Sequence, residues 1–236
     1  MAEHESAVTA IKYIDTGETL YNFRWEATRT NDGGKTVVTV KGNGDNAKQG
    51  AERITWTEEG QFEIGADGLR SRYWKKDSAG AEKMHWKLEY DYAAKTAHYA
   101  WSDDVTGKKE NKDIALEENF IPGDVLFWLL RGYPFEQSEG YTLKGEMVMT
   151  EGNTMGGALI HRGEEKIKTP FGEIDCYKIE LKPTSLILGI AAPKMYAWYT
   201  KAEPHVFLRF DGRDDGLTNP RTMNVLLEYE PKAAVK

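Results

Sequence analysis

Period-two alternation of apolar and polar side chains constrains this chain more than any other feature. It is cleanest over residues 84–92. There Met84, Trp86, Leu88, Tyr90 and Tyr92 face one way, and His85, Lys87, Glu89 and Asp91 the other. Successive side chains of a strand point to opposite faces, so such a segment builds a sheet with one wet face. The same pattern recurs over 20–28, where Tyr21, Phe23, Trp25 and Ala27 alternate with polar neighbours. It returns over 141–150 and 221–230, and about a dozen segments read as strands in all. Asn31-Asp32-Gly33-Gly34 is a hairpin turn, and Gly42-Asn43-Gly44 and Gly65-Ala66-Asp67-Gly68 read as turns too.

Two segments depart from the alternation. Residues 5–14 place Ala7, Ala10, Ile11 and Ile14 at helical spacing, which predicts a short helix. Val125-Leu126-Phe127-Trp128-Leu129-Leu130 has no polar face. Asp124 precedes it as a candidate N-cap, and Arg131-Gly132-Tyr133-Pro134 stops it. A helix apolar all round must be buried, so residues 124–131 are predicted to lie against the concave face of the sheet. No repeat or linker divides the chain. The expectation is one domain over 1–236, with a lead-in over 1–17 and a frayed tail over 231–236.

Charge and residue usage exclude several functions. The net charge is −7, and no run of Lys or Arg exceeds two, so no nucleic-acid partner is expected. Cys176 is the single cysteine, which rules out an intrachain disulfide and a multi-cysteine zinc site. It sits between Asp175 and Tyr177 in a strand, and reads as a small buried hydrophobe. The five histidines lack metal-ligand spacing, though His85 and His98 lie on strands that could pair. No cofactor or metal is expected. No Gly-x-Ser-x-Gly elbow occurs, and the adjacent acids Asp103-Asp104, Glu117-Glu118 and Asp214-Asp215 read as solvated turns. Catalysis is therefore not expected. No apolar stretch reaches the eighteen residues of a membrane span.

Three segments carry a family resemblance. They are "IPGDVLFWLLRGYPF" (121–135), "PFGEIDCYKIEL" (170–181) and "YAWYTKAEPHVFLRFDG" (196–212). The chain resembles a family of bacterial exported proteins catalogued as a domain of unknown function and related in fold to the lipoprotein carriers LolA and LolB. The resemblance implies a mainly β fold: a large curled antiparallel sheet, a LolA-like open or half barrel, with one buried apolar helix. It also implies a periplasmic mature protein that has lost its signal peptide. The given start, Met1-Ala2-Glu3-His4-Glu5, taken literally, indicates a cytoplasmic chain.

A curled sheet this broad has more concave surface than one short helix covers. The remainder is a candidate cavity for a hydrophobic small molecule or acyl chain. Expected lining residues are Trp25, Trp86, Tyr90, Trp128 and Met147, with Leu186, Leu188, Trp198 and Phe207 from the C-terminal half. The charge-free segment between Pro183 and Pro193 is either a lid or core. The expected function is non-catalytic binding or carriage of a lipid or other hydrophobe in the cell envelope, by a monomer. The alternatives are an envelope scaffold or adaptor with a filled core and a protein partner, or a hydrolase acting on envelope glycans or lipids.

Overall fold

The computed structural model describes residues 3–66, 68–184, 194–213 and 220–232. The N-terminal wing is a meander of eight strands. These are β1 (His4–Tyr13), β2 (Thr19–Asp32), β3 (Lys35–Asp45), β4 (Ile54–Gly65), β5 (Gly68–Gly80), β6 (Met84–Asp91), β7 (Thr96–Asp103) and β8 (Lys108–Ala115). The C-terminal wing holds β9 (Ile121–Pro122), β10 (Thr142–Val148), β11 (Thr154–Thr169), β12 (Gly172–Pro183), β13 (Met195–Thr200), β14 (Phe207–Arg213) and β15 (Arg221–Lys232). A helical turn, α1 (Leu126–Leu129), follows β9. All fifteen strands form one sheet, ordered β8-β7-β6-β5-β4-β3-β2-β1-β15-β14-β13-β12-β11-β10-β9. Every pairing is antiparallel except β9 with β10. The pairing of β1 with β15 joins the wings, so the two ends of the chain meet at the middle of the sheet.

The sheet is strongly curled. Strands lie about 4.8 Å apart, so a flat sheet of this size would separate its edges by roughly 65 Å. Here Val148 of β10 packs with Leu88, Tyr99 and Ile114 of β6, β7 and β8. Lys112 of the edge strand β8 donates to Asn153 Oδ1 at 3.3 Å. Side chains bridge this seam, and the sheet does not close into a hydrogen-bonded barrel. The expected mainly β architecture with one short helix is therefore the observed one.

The segment between β8 and β10 crosses the concave face as a strap. Leu116 and Phe120 pack on the β6–β8 side, Val125 and Trp128 on β2–β5, and Leu126, Leu130, Tyr133 and Phe135 on β10–β13. Only four residues of the strap are α-helical, followed by a 3-10 turn at Leu130–Gly132. The predicted helix over 124–131 is thus one turn long. Asp124 does not cap it. Val125 is the N-cap and no side chain caps it. The Asp124 carboxylate instead accepts from Ser71 Oγ (2.6 Å) and Tyr90 Oη (2.7 Å).

The predicted helix over 5–14 is wrong: this segment is β1, hydrogen-bonded to β2 and β15 on its two sides. Its register with β15 shifts between Val8 and Thr9, where β15 carries the extra residue, and burial alternates in β1 over Glu5, Ala7 and Thr9. Ala10 is buried as well, and with Ala7, Ile11 and Ile14 it imitates helical spacing in the sequence. One glycine reading also fails. Gly42-Asn43-Gly44 lies inside β3, and Gly60 inside β4, which runs unbroken from Ile54 to Gly65. Each of these glycines lies beneath an aromatic ring: Gly42 under Phe23, Gly44 under Trp56 and Gly60 under Trp74. A Cβ at any of the three would overlap the ring, which is why glycine sits mid-strand.

Candidate binding surface on the concave face

Cross-strand register arranges the concave face of the N-terminal wing into transverse rows. One row runs Ala27, Val40, Gly60, Trp74, Leu88 and Tyr99 across β2 to β7. All six are buried, because the strap and Val148 lie on this level of the sheet. The adjacent row, two residues along each strand, runs Trp25, Gly42, Glu58, Lys76, Trp86 and Trp101. All six are only partly buried. Beyond them lie Phe23, Gly44 and Trp56. The uncovered part of the concave face is therefore aromatic at its margins and charged at its centre.

The strap reaches this row through Trp128. Its ring meets Trp25 edge-on, with centroids 4.8 Å apart, and lies 5.6 Å from Phe62. Two buried polar clusters hold the strap in place. Ahead of α1, burial pushes the Asp124 carboxyl up to about 6, against the hydrogen bonds from Ser71 and Tyr90 that favour its charge. Burial and the neighbouring carboxylate raise the Tyr90 phenol far above its usual range, so it remains a donor. Behind α1, Arg131 binds Glu5 through two nitrogens, at 2.7 and 3.2 Å. Tyr229 also donates to Glu5, at 2.6 Å, and Arg131 Nε donates to the Pro204 carbonyl. The side chains of Arg131 and Glu5 are only 7% and 1% exposed, so this ion pair is internal. In addition, Tyr199 Oη donates to the Phe127 carbonyl at 3.0 Å.

Within the open row, Lys76 Nζ lies 4.5 Å from the centre of the Trp56 ring and 3.8 Å from Glu58 Oε1. Trp74 Nε1 donates to Glu58 Oε2 at 3.2 Å. Burial raises the Glu58 carboxyl, opposed by Lys76 and by the Trp74 and Trp56 indoles.

Of the nine residues expected to line one cavity, the seven that are described fall into four places. Trp25, Trp86 and Trp128 share the open level of the N-terminal wing. Tyr90 lies under the strap, bonded to Asp124 and stacked near Phe120. Met147 and Phe207 belong to the packed core of the C-terminal wing, where Phe207 meets Phe127 at 5.0 Å. Trp198 projects from the face of β13 opposite Ala197 and Tyr199. It donates to Glu165 and is flanked by the Lys178 and Arg209 cations. Its strand parity, not its apolar character, decides this. Leu186 and Leu188, and the lid-or-core question for 183–193, lie outside the described residues.

Trp56, Glu58, Lys76 and Trp101 were not among the expected residues. Glu58 and Lys76 are inward-facing charges, which an apolar-in, polar-out reading assigns to the wet face. Only the pairing register shows that they stand beside Trp25 and Trp86.

Groups considered for chemistry remain apart. Cys176 is fully buried, and burial, then the Glu165 and Asp175 carboxylates, pushes its thiol up to about 12. His85 binds Asp77 and Asp104, whereas His98 binds Asp113. Among the described residues no three His, Cys, Asp or Glu side chains gather as metal ligands, and no helix is long and apolar enough to cross a membrane. Asp103 caps its own turn through Val105 N and Thr106, as a solvated acid does.

A family model described as "Protein of unknown function (DUF3108)" matches residues 7–216. The chain belongs to the DUF3108 family. No curated protein matches this DUF3108 chain. Among solved structures it is similar to the β-barrel-like DUF1849 protein from Brucella abortus, with a TM-score of 0.57 at 6% identity over 99% of each chain. That likeness supports the fold alone. A candidate exported protein with a YmcC-like fold from Bacteroides fragilis aligns with a TM-score of 0.39 at 10% identity, over 96% of this chain and 95% of that one.

Proposed function

We propose that this DUF3108 protein binds a hydrophobic or amphipathic ligand, such as a lipid acyl chain, without chemical change. The site is the open level of the N-terminal wing, and the protein acts as a LolA-like carrier in the bacterial cell envelope. One observation carries the reading: Trp25, Trp86 and Trp101 stand in one transverse row that the strap touches only at Trp25, through Trp128, and all three stay partly exposed. Partly exposed indoles on a concave surface gain free energy when an apolar ligand displaces water from them. The envelope location rests on the resemblance of three sequence segments to exported proteins of the Lol-carrier fold.

The test is binding of a fluorescent fatty acid to protein stripped of lipid. Trp86→Ala and Trp101→Ala are expected to weaken binding by about tenfold each, given the apolar area an indole contributes. Their thermal unfolding should stay close to wild type. Absence of binding in the wild-type protein, with no lipid carried through purification, overturns the proposal. The scaffold reading is favoured instead by the dense packing of the C-terminal wing. It predicts a stable protein partner and no lipid.

A further inference from the structure

Glu58 and Lys76 face inward, where Glu58 accepts from the buried Trp74 indole and Lys76 lies over the Trp56 ring. They occupy the centre of the aromatic row, between Trp25 and Gly42 on one side and Trp86 and Trp101 on the other. Their separation of 3.8 Å exceeds the 2.7–2.9 Å, roughly, of a direct charge-assisted hydrogen bond. Both remain reachable, with side chains 18% and 31% exposed. Beside them is a third polar group. The Trp56 indole N–H is buried, in a residue 8% exposed, and makes no hydrogen bond. It lies near enough to favour the charge on Glu58, yet short of hydrogen-bond geometry. A buried N–H without a partner is costly unless something else supplies the acceptor.

Together these groups present an acceptor, a cationic donor and a neutral donor on an aromatic floor, with the two charges cancelling. A carboxylate or phosphate head would be repelled by Glu58. A cationic head would be repelled by Lys76. Hydroxyl groups suit all three partners at once, since each both donates and accepts. They can bridge Glu58 to Lys76 and accept from Trp56 without separating the ion pair. The faces of Trp25, Trp86 and Trp101 can then hold the apolar part of the same molecule.

We infer that the ligand is an amphiphile with an uncharged, hydroxyl-rich head, such as a glycosyl or glycerol group, and that Glu58, Lys76 and Trp56 recognise this head. This rests on the proposed binding surface and adds the polar half of its ligand.

Three probes with one twelve-carbon tail separate the possibilities: dodecyl maltoside, dodecylphosphocholine and dodecanoate. Each is titrated calorimetrically into the full chain below its micelle concentration. The maltoside is expected to bind at least about tenfold more tightly than either the zwitterionic phosphocholine or the anionic dodecanoate, the value of one or two hydrogen bonds to charged groups. Glu58→Gln and Lys76→Met are each expected to remove that advantage; Glu58→Gln should improve dodecanoate affinity by lifting the repulsion, and Lys76→Met should weaken it by leaving Glu58 unpaired. Glu58→Gln keeps the shape of the site and guards against a folding defect in Lys76→Met. Equal affinity for all three probes, or tighter phosphocholine binding, overturns this inference while sparing the proposed function. Failure of every probe to bind overturns both.

Discussion

The two wings of the sheet use the same strap in different ways. In the C-terminal wing, Leu126, Leu130, Tyr133 and Phe135 press into Leu159, Ile179, Ala197 and Tyr199, and the concave face is filled. Phe135 stacks on Tyr177 with ring centroids 4.5 Å apart and planes 9° from parallel. In the N-terminal wing the strap covers one transverse row and leaves the next open, with a carboxylate and an ammonium set among indoles. One wing spends its aromatic side chains on packing, whereas the other keeps them at a surface. Truncating a large side chain should thus cost stability in one wing and binding in the other.

The largest effect is expected where the wings share an anchor. Arg131→Met leaves Glu5 as an unpaired buried charge at the junction of β1, β15 and the strap. Destabilisation on the order of 3–5 kcal/mol is expected in urea unfolding. Replacing both partners with apolar residues should recover much of that loss. If Arg131→Met alone were neutral, the strap would not depend on this anchor.

Leu130 is fully buried in the C-terminal core. Leu130→Ala is expected to cost about 2–5 kcal/mol while fatty-acid affinity of the folded fraction holds. Trp101→Ala should show the reverse, with a stability change below about 1 kcal/mol and weakened binding. Both variants losing stability alone would erase the distinction between the wings.

A third effect follows from Asp124. Its folded-state pKa, about 6, lies above the usual 3.8. The neutral carboxyl is therefore favoured in the folded protein. This contribution is fully present below about pH 4 and is lost as pH rises through about 6. Wild type should lose on the order of 2 kcal/mol relative to Asp124→Asn between pH 4 and 7, followed by urea unfolding at each pH. Parallel pH profiles for the two proteins would show that Asp124 is better solvated than its enclosure under the strap implies.

The smallest expected effect tests the glycines beneath the rings. Gly60→Ala places a methyl group against Trp74 and should cost about 1–3 kcal/mol. Gly65→Ala, where a Cβ meets nothing, should stay within about 0.5 kcal/mol.

Much of the fold was legible from local chemistry. Alternation at Met84, Trp86, Leu88 and Tyr90 reports one buried face because a strand's side-chain period is two. The apolar run at 125–130 announces a buried segment because water tolerates no face of it. Where apolar residues fall three and four apart inside a strand, as at Ala7, Ala10, Ile11 and Ile14, the same signal misleads. Glycine was read as punctuation at Gly42 and Gly44, because nothing in a sequence shows a ring from the next strand lying over it.

The sequence by itself determined a mainly β chain with an apolar segment that must be buried, since burial and alternation are properties of neighbouring residues. Tertiary structure alone decided which aromatic residues pack and which stay open. That choice depends on register between strands far apart in the chain, and on where a strap of some twenty residues lies across them. Trp198 and Trp86 are equally apolar, yet strand parity and strap position send one to the opposite face and the other to the open row.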